Sequence, residues 1–179
     1  FTPALLSSLI AIATEHKVPV IVDPKGNDSV RYSGATLLTP NTNEAEVLTG
    51  IKIESDRDAE EAGSKLLSQE SIDSVLITRG SSGMTLCCLG EKPKHFPTCA
   101  IDVFDVVGAG DTVVACLACA LAIGSSLSDA AFCANTASGI AVGKRDTATV
   151  SSAELIQRFN TFSSPVLNQA QELTQILVD

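Results

Sequence analysis

The sequence predicts an α/β fold built on a largely parallel sheet. Helical patterns alternate with short apolar runs along the 179 residues, an order that is typical of strands joined by crossover helices. Two of these runs, Val18–Val22 and Ser74–Thr78, lack polar alternation, as expected of strands buried on both faces of a parallel sheet. The hydrophobic fraction of 45% and the mean hydropathy of +0.26 exclude a disordered chain.

The charge of the chain limits the partners that it can bind. The net charge is −9 and the pI is about 4.6, so the surface repels nucleic acid phosphates and anionic membranes. No apolar run approaches the ~20 residues of a membrane span, and the first residues lack the basic region of a signal peptide. We therefore expect a cytoplasmic protein that binds neither nucleic acid nor membrane. Because the chain begins at Phe1 without Met, we expect it to be a piece of a longer one.

The first half of the chain is predicted to alternate helices with strands. Thr2 and Pro3 are the residue types of a helix cap and a first helical position, and apolar residues then recur at helical spacing. A short helix that ends at Gly50 follows a strand that Pro40 stops. The predicted helices are Pro3–Lys17, Asn41–Thr49 and Ser55–Ser71, and the predicted strands are Val18–Val22, Ala35–Thr39, Ser74–Thr78, Met84–Leu89 and Lys94–Pro97, the last two as a hairpin or meander.

The second half of the chain is predicted to be helical, because small and apolar residues recur there between serine caps. The predicted helices are a long apolar one that opens at Gly108–Asp111 and runs through Ile123, a second capped by Ser128 that runs through Val142, a third capped by Ser151 or Ser152, and a fourth at Asn168–Val178. We expect residues 1–160 to form one domain, and residues 161–179 to form a linker and a C-terminal helix.

The six cysteines are expected to be reduced thiols, since the chain is apolar enough to fold without disulfides and shows no export signal. Cys116 and Cys119 form a CxxC pair inside an apolar helix. With no second pair and no nearby histidine, a metal or redox site is not favoured, and both are predicted to be core residues. His16 and His95 are predicted to lie at the surface.

The strongest chemical feature is the sequence Asp-Val-Val-Gly-Ala-Gly-Asp at residues 105–111. Gly108, Ala109 and Gly110 lie where a strand is expected to pass into a helix, so backbone N–H groups are left unpaired and the helix dipole adds positive potential. Such a turn can bind a phosphoryl group. Asp111 follows in the first helical turn, where its carboxylate is a candidate base for a substrate hydroxyl. The alternative is a packing turn in which Asp111 only caps the helix.

Two upstream segments carry polar groups that suit the same chemistry. Asn41 and Glu44 are three residues apart on a short predicted helix, so they share a face. An amide and a carboxylate at that spacing suit a hydrated Mg²⁺, and they equally suit a helix cap with a first-turn charge. The turn Thr78–Gly83 carries glycines and hydroxyls that can admit a nucleotide phosphate, a weak indication when taken alone.

In this order, the segments NTNE, TRGSSG and DVVGAGD resemble three motifs of the ribokinase (pfkB) family of carbohydrate kinases. The segments Asp23–Gly26, Arg31–Thr36 and Ala134–Gly139 are similar to the heptose-7-phosphate kinase branch of that family, and the resemblance extends over roughly Val18–Leu155. It implies a ribokinase-like, Rossmann-like three-layer sandwich. It also implies ATP-dependent phosphorylation of heptose 7-phosphate to the 1,7-bisphosphate, a step toward ADP-heptose and the lipopolysaccharide core.

The resemblance also implies roles for individual residues. Asp111 would be the catalytic base, and Gly108, Ala109 and Gly110 would form the anion hole. Nucleotide and metal would be bound by Asn41 and Glu44 (ATP and, through water, Mg²⁺), by Thr78, Gly80 and Gly83 (the nucleotide site), by Asn135 (near the adenine), by Lys25 (a charge for a phosphate) and by Asp105 (a monovalent cation, K⁺). For Lys25 the alternative is a solvated loop lysine, and for Asp105 a plain loop carboxylate.

The sequence departs from the family pattern in places. The N-terminal half that carries most sugar contacts is absent, and Asp146 stands where a Gly is usual, which affects the cation site and the adenine-side loop. We expect ATP and a sugar phosphate as partners, a homo-oligomer or an aggregation-prone chain, and no kinase activity from these residues alone. The alternatives are another sugar or nucleoside kinase of the family, or a catalytically incompetent fragment that binds nucleotide.

Overall fold

A computed structural model describes residues 2–100, 102–145 and 149–162 and divides the chain between two units. Unit 1 comprises Phe1–Gly80 with Met84–His95, and unit 2 comprises Ser81–Gly83 with Phe96–Asp179. The described residues do not include the predicted linker and fourth helix beyond residue 162. They also do not include Asp146, where the sequence departs from the family pattern. Within the described ranges, no helix is both long enough and apolar enough to cross a membrane.

Unit 1 is an α/β unit, which confirms the predicted fold class. Its helices are α1 (Pro3–Glu15), α2 (Thr42–Thr49) and α3 (Asp56–Glu70), and its strands are β1 (Ile21–Val22), β2 (Leu37–Leu38), β3 (Ser74–Thr78), β4 (Met84–Cys88) and β5 (Lys94–Phe96), the last of which ends on the first residue of unit 2. The strand order is β1-β2-β3-β4-β5. The first three strands run parallel and β4 runs antiparallel to β3, so the sheet is mixed.

The core of unit 1 surrounds β2 and β3. Leu37, Leu38, Val75, Leu76 and Ile77 are all fully buried, which confirms that Ser74–Thr78 is buried on both faces. Burying each side chain of this size contributes about 1.5–3 kcal/mol relative to leaving it exposed. The register places Leu37 beside Ser74 and Leu76 beside Leu86, which aligns β2, β3 and β4 through this core.

The prediction of a buried strand over Val18–Val22 was wrong in extent and burial. The strand is only Ile21–Val22, both residues are half-buried, and Val18 is 56% exposed. Pro19 has no N–H to donate to a ladder. Val20 instead donates its N–H to the Thr36 hydroxyl. β1 lies at one edge of the sheet. Among the described residues it pairs only with β2, and its burial is therefore partial.

The helix ends of unit 1 follow local sequence signals. Asn41 caps α2, and Gly50 ends it in the left-handed conformation with φ +70°. Ser55 caps α3 in a reciprocal box with Asp58, whose carboxylate accepts from the Ser55 N–H. These three boundary residues were all predicted.

Unit 2 contains three described helices, α4 (Ala109–Ala122), α5 (Leu127–Ala141) and α6 (Ser152–Phe159). Stacked rings of Phe132 and Phe159, with centroids 5.7 Å apart, join α5 to α6. Ser151, one of the two predicted candidates, caps α6. The prediction that Ser128 caps α5 was wrong, because Ser126 is the residue with extended backbone and its hydroxyl accepts from the N–H of Asp129.

Candidate functional site

The glycine turn of unit 2 presents an open helix N-terminus. Gly108 has φ +80° and is the N-cap of α4, and no side chain caps the helix there. Ala109, Gly110 and Asp111 form the first turn, and a methyl group on Gly110 would meet no heavy atom within 4 Å. Asp111 is exposed. The N–H of Ala109 donates to the carbonyl of Val106 at 3.2 Å. The turn otherwise offers a helix N-terminus without a side-chain cap, open space at Gly110 and an exposed carboxylate, and its role in binding a phosphoryl group stays a prediction.

Asp105 shapes the approach to this turn. Its Oδ1 accepts from the backbone N–H of Val107 at 2.9 Å. The N–H groups of Phe104 and Asp105 both donate to the carbonyl of Val142, at 2.8 and 3.3 Å. The carboxylate is therefore held by the backbone of its own turn, and binding of a monovalent cation there stays a prediction.

A cavity of about 470 Å³ lies along the α4 face that begins at Gly108 and Asp111. Its volume is within the range of small-molecule sites. Farther along α4 it is lined by Ala115, Cys116 and Cys119. Cys119 is exposed, so the prediction that it belongs to the core was wrong, whereas Cys116 is half-buried and packs against the core of unit 2.

Cys116 contacts a third cysteine, Cys133, which lies outside the CxxC pair. Its Sγ lies 3.3 Å from the Sγ of Cys133 on α5. Donation of the Cys116 S–H to Cys133, together with burial, raises the pKa of Cys116, and the same contact lowers the pKa of Cys133. Both thiols are free. In the described part of the chain, no three histidine, cysteine or acidic side chains are grouped as metal ligands.

In unit 1, Asn41 and Glu44 form a reciprocal helix cap. The Asn41 side chain accepts from the N–H of Glu44, and Glu44 Oε2 accepts from the N–H of Asn41, each at 2.9 Å. The second oxygen, Oε1, binds the ammonium of Lys25 at 2.7 Å, and Asp23 binds the same ammonium at 3.0 Å. Hydrogen bonds that the Lys25 ammonium donates to Glu44 and Asp23 raise the pKa of Lys25. Asn41 and Glu44 therefore do form the helix cap that was the alternative to a magnesium site. Lys25 is paired with two carboxylates, so it is not a free loop lysine.

The predicted nucleotide turn has two kinds of glycine. Thr78 forms a parallel bridge with Asn41, and its N–H donates to the carbonyl of Pro40 at 2.9 Å, so the turn begins beside the cap of α2. Gly80 has φ +55° and open space around it. Gly83, which belongs to unit 2, has φ +79°, and a Cβ there would lie 1.9 Å from the carbonyl oxygen of Phe96. Gly83 therefore serves a close backbone contact.

Asn135 is a buried residue of α5, only 4% exposed. Its Nδ2 donates to the carbonyl of Pro97 at 2.7 Å and to Cys99 Sγ at 3.3 Å. The amide therefore fixes the segment that follows β5. The predicted contact with an adenine stays a prediction.

Sequence reasoning missed the polar contacts of two side chains, His95 and Lys144. The prediction of a surface His95 was wrong: the ring is half-buried, with Nε2 2.9 Å from Glu60 and Nδ1 3.0 Å from Thr85. In unit 2, Lys144 lies 2.6 Å from Glu154 and donates to the carbonyl of Thr149 at 2.7 Å. No local pattern marks the partners of His95, because Glu60 lies 35 residues away in sequence. The partners of Lys144 are closer in sequence, but they depend on how α6 packs relative to α5.

Comparison with known proteins identifies the class. Residues 1–154 match the model of the pfkB family of carbohydrate kinases, and the chain belongs to that family. It is similar to the bifunctional protein HldE, with 53% identity over 155 residues in Geobacter metallireducens and 51% over 152 residues in Erwinia tasmaniensis. These alignments cover 87% and 85% of this chain and 32% of each relative. The chain thus spans about a third of the length of these curated relatives, and the predicted family is confirmed.

Solved structures confirm the ribokinase-like fold. The ribokinase of Arabidopsis thaliana, solved with ribose and ATP, has a TM-score of 0.80 and 26% identity, covering 90% of this chain and 54% of that one. Phosphofructokinase-2 of Escherichia coli has a TM-score of 0.78 and 20% identity, covering 92% of this chain and 54% of that one. The second likeness shows the fold alone.

Proposed function

We propose that this chain takes part in ATP-dependent phosphoryl transfer to a sugar phosphate hydroxyl, with heptose 7-phosphate as acceptor and the 1,7-bisphosphate as product. The observation that carries the proposal is Asp111, exposed in the first turn of a helix whose N-terminus has no side-chain cap. The choice of heptose rests on the identity of about half of the aligned residues to HldE. The product would be used in building ADP-heptose for the lipopolysaccharide core.

In unit 2, the chemistry is positioning and charge stabilisation. The N–H groups of Gly108 and Gly110 would face the charge on the transferring phosphoryl group. The N–H of Ala109 would join them by exchanging its hydrogen bond to the Val106 carbonyl for one to the phosphoryl group. Asp111 would accept the proton of the acceptor hydroxyl as the new bond forms. A carboxylate is a weak base, but the loose transition state of phosphoryl transfer asks little of it. Asp105 would hold a monovalent cation beside this turn.

In unit 1, the oxygen donors suit a divalent cation. Glu44 Oε1 and Asp23 Oδ2 both contact one ammonium, that of Lys25, so two carboxylate oxygens already share a cation. Carboxylate oxygens are the ligands that Mg²⁺ prefers, and it keeps several waters. Glu44 would hold Mg²⁺ through water, and the metal would supply neutralisation of phosphate charge.

Several further residues would bind the nucleotide. Asn41 would serve ATP beside Glu44, and Thr78, Gly80 and Gly83 would line the phosphate path. Asn135 would lie near the adenine while keeping its contact with Pro97. The positive φ and open surroundings of Gly80 support a close approach of phosphate to backbone there.

The test replaces Asp111 in the longest natural polypeptide that contains this chain and measures ADP release with heptose 7-phosphate, fructose 6-phosphate and ribose. Asp111→Asn should lower kcat by ~10²–10⁴ while ATP affinity changes little. Asp129→Asn is the matched control, because Asp129 occupies the same position of the first turn of α5 and should keep nearly full kcat. Turnover retained in Asp111→Asn would refute the base, and faster turnover of another sugar would refute the heptose assignment.

A further inference from the structure

Lys25 and Glu44 form an ion pair whose two side chains differ in exposure. The Lys25 side chain is 68% exposed, whereas that of Glu44 is 18% exposed. The backbone of Lys25 is fixed, because the Tyr32 hydroxyl bridges its N–H and its carbonyl at 3.2 Å each. The ammonium can therefore swing on its four-carbon stem while the loop that carries it stays in place.

The Glu44 carboxylate is fixed by the helix that it caps. Its Oε2 accepts from the N–H of Asn41 at 2.9 Å, and its own N–H donates to the Asn41 side chain. Oε1 is therefore the oxygen left to face a cation, and the Lys25 ammonium contacts it at 2.7 Å. Asp23 holds the same ammonium from the other side at 3.0 Å.

A divalent cation at Glu44 and an ammonium at Glu44 exclude one another. A water-bridged metal at Oε1 would approach the Lys25 ammonium to within several ångströms. Two positive charges this close repel each other even in water, and the repulsion doubles when one of them is divalent. Either the metal displaces the Lys25 ammonium from Glu44, or the ammonium prevents the metal from binding there.

We propose that Lys25 is a positioning residue that serves as a resident counterion of Glu44, which a hydrated divalent cation must displace before the carboxylate can hold it. This inference rests on the proposed function for the identity of the cation, and adds that metal binding frees a positive charge. The freed ammonium then neutralises an incoming phosphate instead of the carboxylate. Lys25 would thus weaken binding of bare metal and strengthen binding of the metal–nucleotide complex.

The experiment measures Mn²⁺ binding without nucleotide, by the loss of the free-ion electron paramagnetic resonance signal. Lys25→Met should bind Mn²⁺ about fivefold more tightly than the parent chain, because removing the ammonium removes its competition. Lys25→Arg keeps the charge and should stay near the parent. Lys52→Met is the matched control, because Lys52 also pairs with an exposed carboxylate, that of Glu54, and its loss changes the net charge equally. Its affinity should stay near that of the parent.

The effect should be much smaller when Glu44 is also changed. In Glu44→Gln, adding Lys25→Met should change Mn²⁺ affinity far less than in the parent, because the carboxylate proposed to hold the metal is gone and Lys25 keeps its contact with Asp23. The single tyrosine, Tyr32, touches the Lys25 backbone, so its fluorescence reports whether the loop keeps its fold in each variant. In the same Lys25→Met chain, the affinity for metal–ATP should fall, opposite to the change for bare metal.

Unchanged or weaker Mn²⁺ binding in a folded Lys25→Met chain would overturn the inference, as would an equal gain in Lys52→Met. Equal effects of Lys25→Met in the presence and absence of Glu44 would also overturn it. These readouts need no turnover, so they stand apart from the Asp111 test. An inactive Asp129→Asn control or an active Asp111→Asn chain would count against the proposed function alone.

Discussion

A methyl group on Gly83 would lie 1.9 Å from the carbonyl oxygen of Phe96, a contact that only glycine can make. The Gly83→Ala change therefore requires the backbone of one segment to move, in addition to the strain of φ +79°. We expect it to lower the free energy of unfolding by about 1–3 kcal/mol beyond the cost of the strained φ alone. Chemical denaturation followed by far-ultraviolet circular dichroism measures this difference.

Gly90→Ala isolates the steric part of that prediction. Gly90 has φ +78°, nearly the same as Gly83, but a Cβ there would meet nothing within 4 Å. It should cost only the strain of the left-handed backbone, about 1–2 kcal/mol. Equal losses in Gly83→Ala and Gly90→Ala would show that the contact with Phe96 yields without cost.

Asn135 is expected to matter for stability before it matters for nucleotide binding. Its Nδ2 is the donor to the Pro97 carbonyl at 2.7 Å, so Asn135→Leu leaves that carbonyl without this donor. The loss should be about 1–3 kcal/mol in the free energy of unfolding, measured without nucleotide. A folded Asn135→Leu chain with parental stability and weakened ATP binding would contradict this expectation and favour a contact with the adenine alone.

The features predicted from sequence are those that neighbouring residues determine. Asn41, Gly50 and Ser55 were identified as helix boundaries because a cap depends on a side chain and the backbone of the next turn. Ser74–Thr78 was predicted to the residue, because a continuous apolar run between polar turns has few alternatives. The helix that opens at Gly108 was found for the same local reason, but the strand expected to lead into it was wrong, because residues 102–107 form no strand.

The features missed depend on contacts between distant segments. His95 was placed at the surface, yet its ring lies against Glu60, 35 residues away in sequence. The burial of Val18 was overestimated because the pattern does not say which strand lies at the end of the sheet. Gly83 has the sequence context of a nucleotide turn, and only the path of Phe96 shows its packing role. The cap of α5 was predicted two residues too late, at Ser128, whereas Ser126 is the cap.

The cysteines are expected to react with N-ethylmaleimide in an order set by exposure and charge. Cys119 is exposed and should be labelled first in the native chain. Burial raises the pKa of Cys87 to about 11, so it is almost entirely an unreactive thiol at neutral pH and should be labelled only on unfolding. Peptide mass spectrometry after brief labelling measures the order, and early labelling of Cys87 would contradict its burial.

The last prediction concerns the stability of unit 2 in acid. Glu154 binds Lys144 at 2.6 Å and accepts from the N–H and hydroxyl of Ser151, contacts that lower the pKa of Glu154 from 4.5 to about 2. A carboxyl whose pKa is lower in the folded state stabilises the fold while it is charged. Its contribution is fully present above pH 4.5 and is lost as the pH falls toward 2.

Glu154→Gln keeps the shape of the side chain and removes the charge, so the variant should be less stable than the parent at neutral pH. The difference should shrink as the pH falls from 4.5 toward 2 and vanish below that, because both side chains are then neutral. Lys144→Met should reduce the same pH dependence by removing the ammonium that pairs with Glu154.

Glu91→Gln is the control, since it removes an exposed carboxylate 3.7 Å from Lys94, a pair that contributes at most about 1 kcal/mol. Urea midpoints measured across pH 2–7 give the comparison, and a Glu154→Gln difference that persists unchanged at pH 2 would show that the side chain stabilises unit 2 by shape and not by charge.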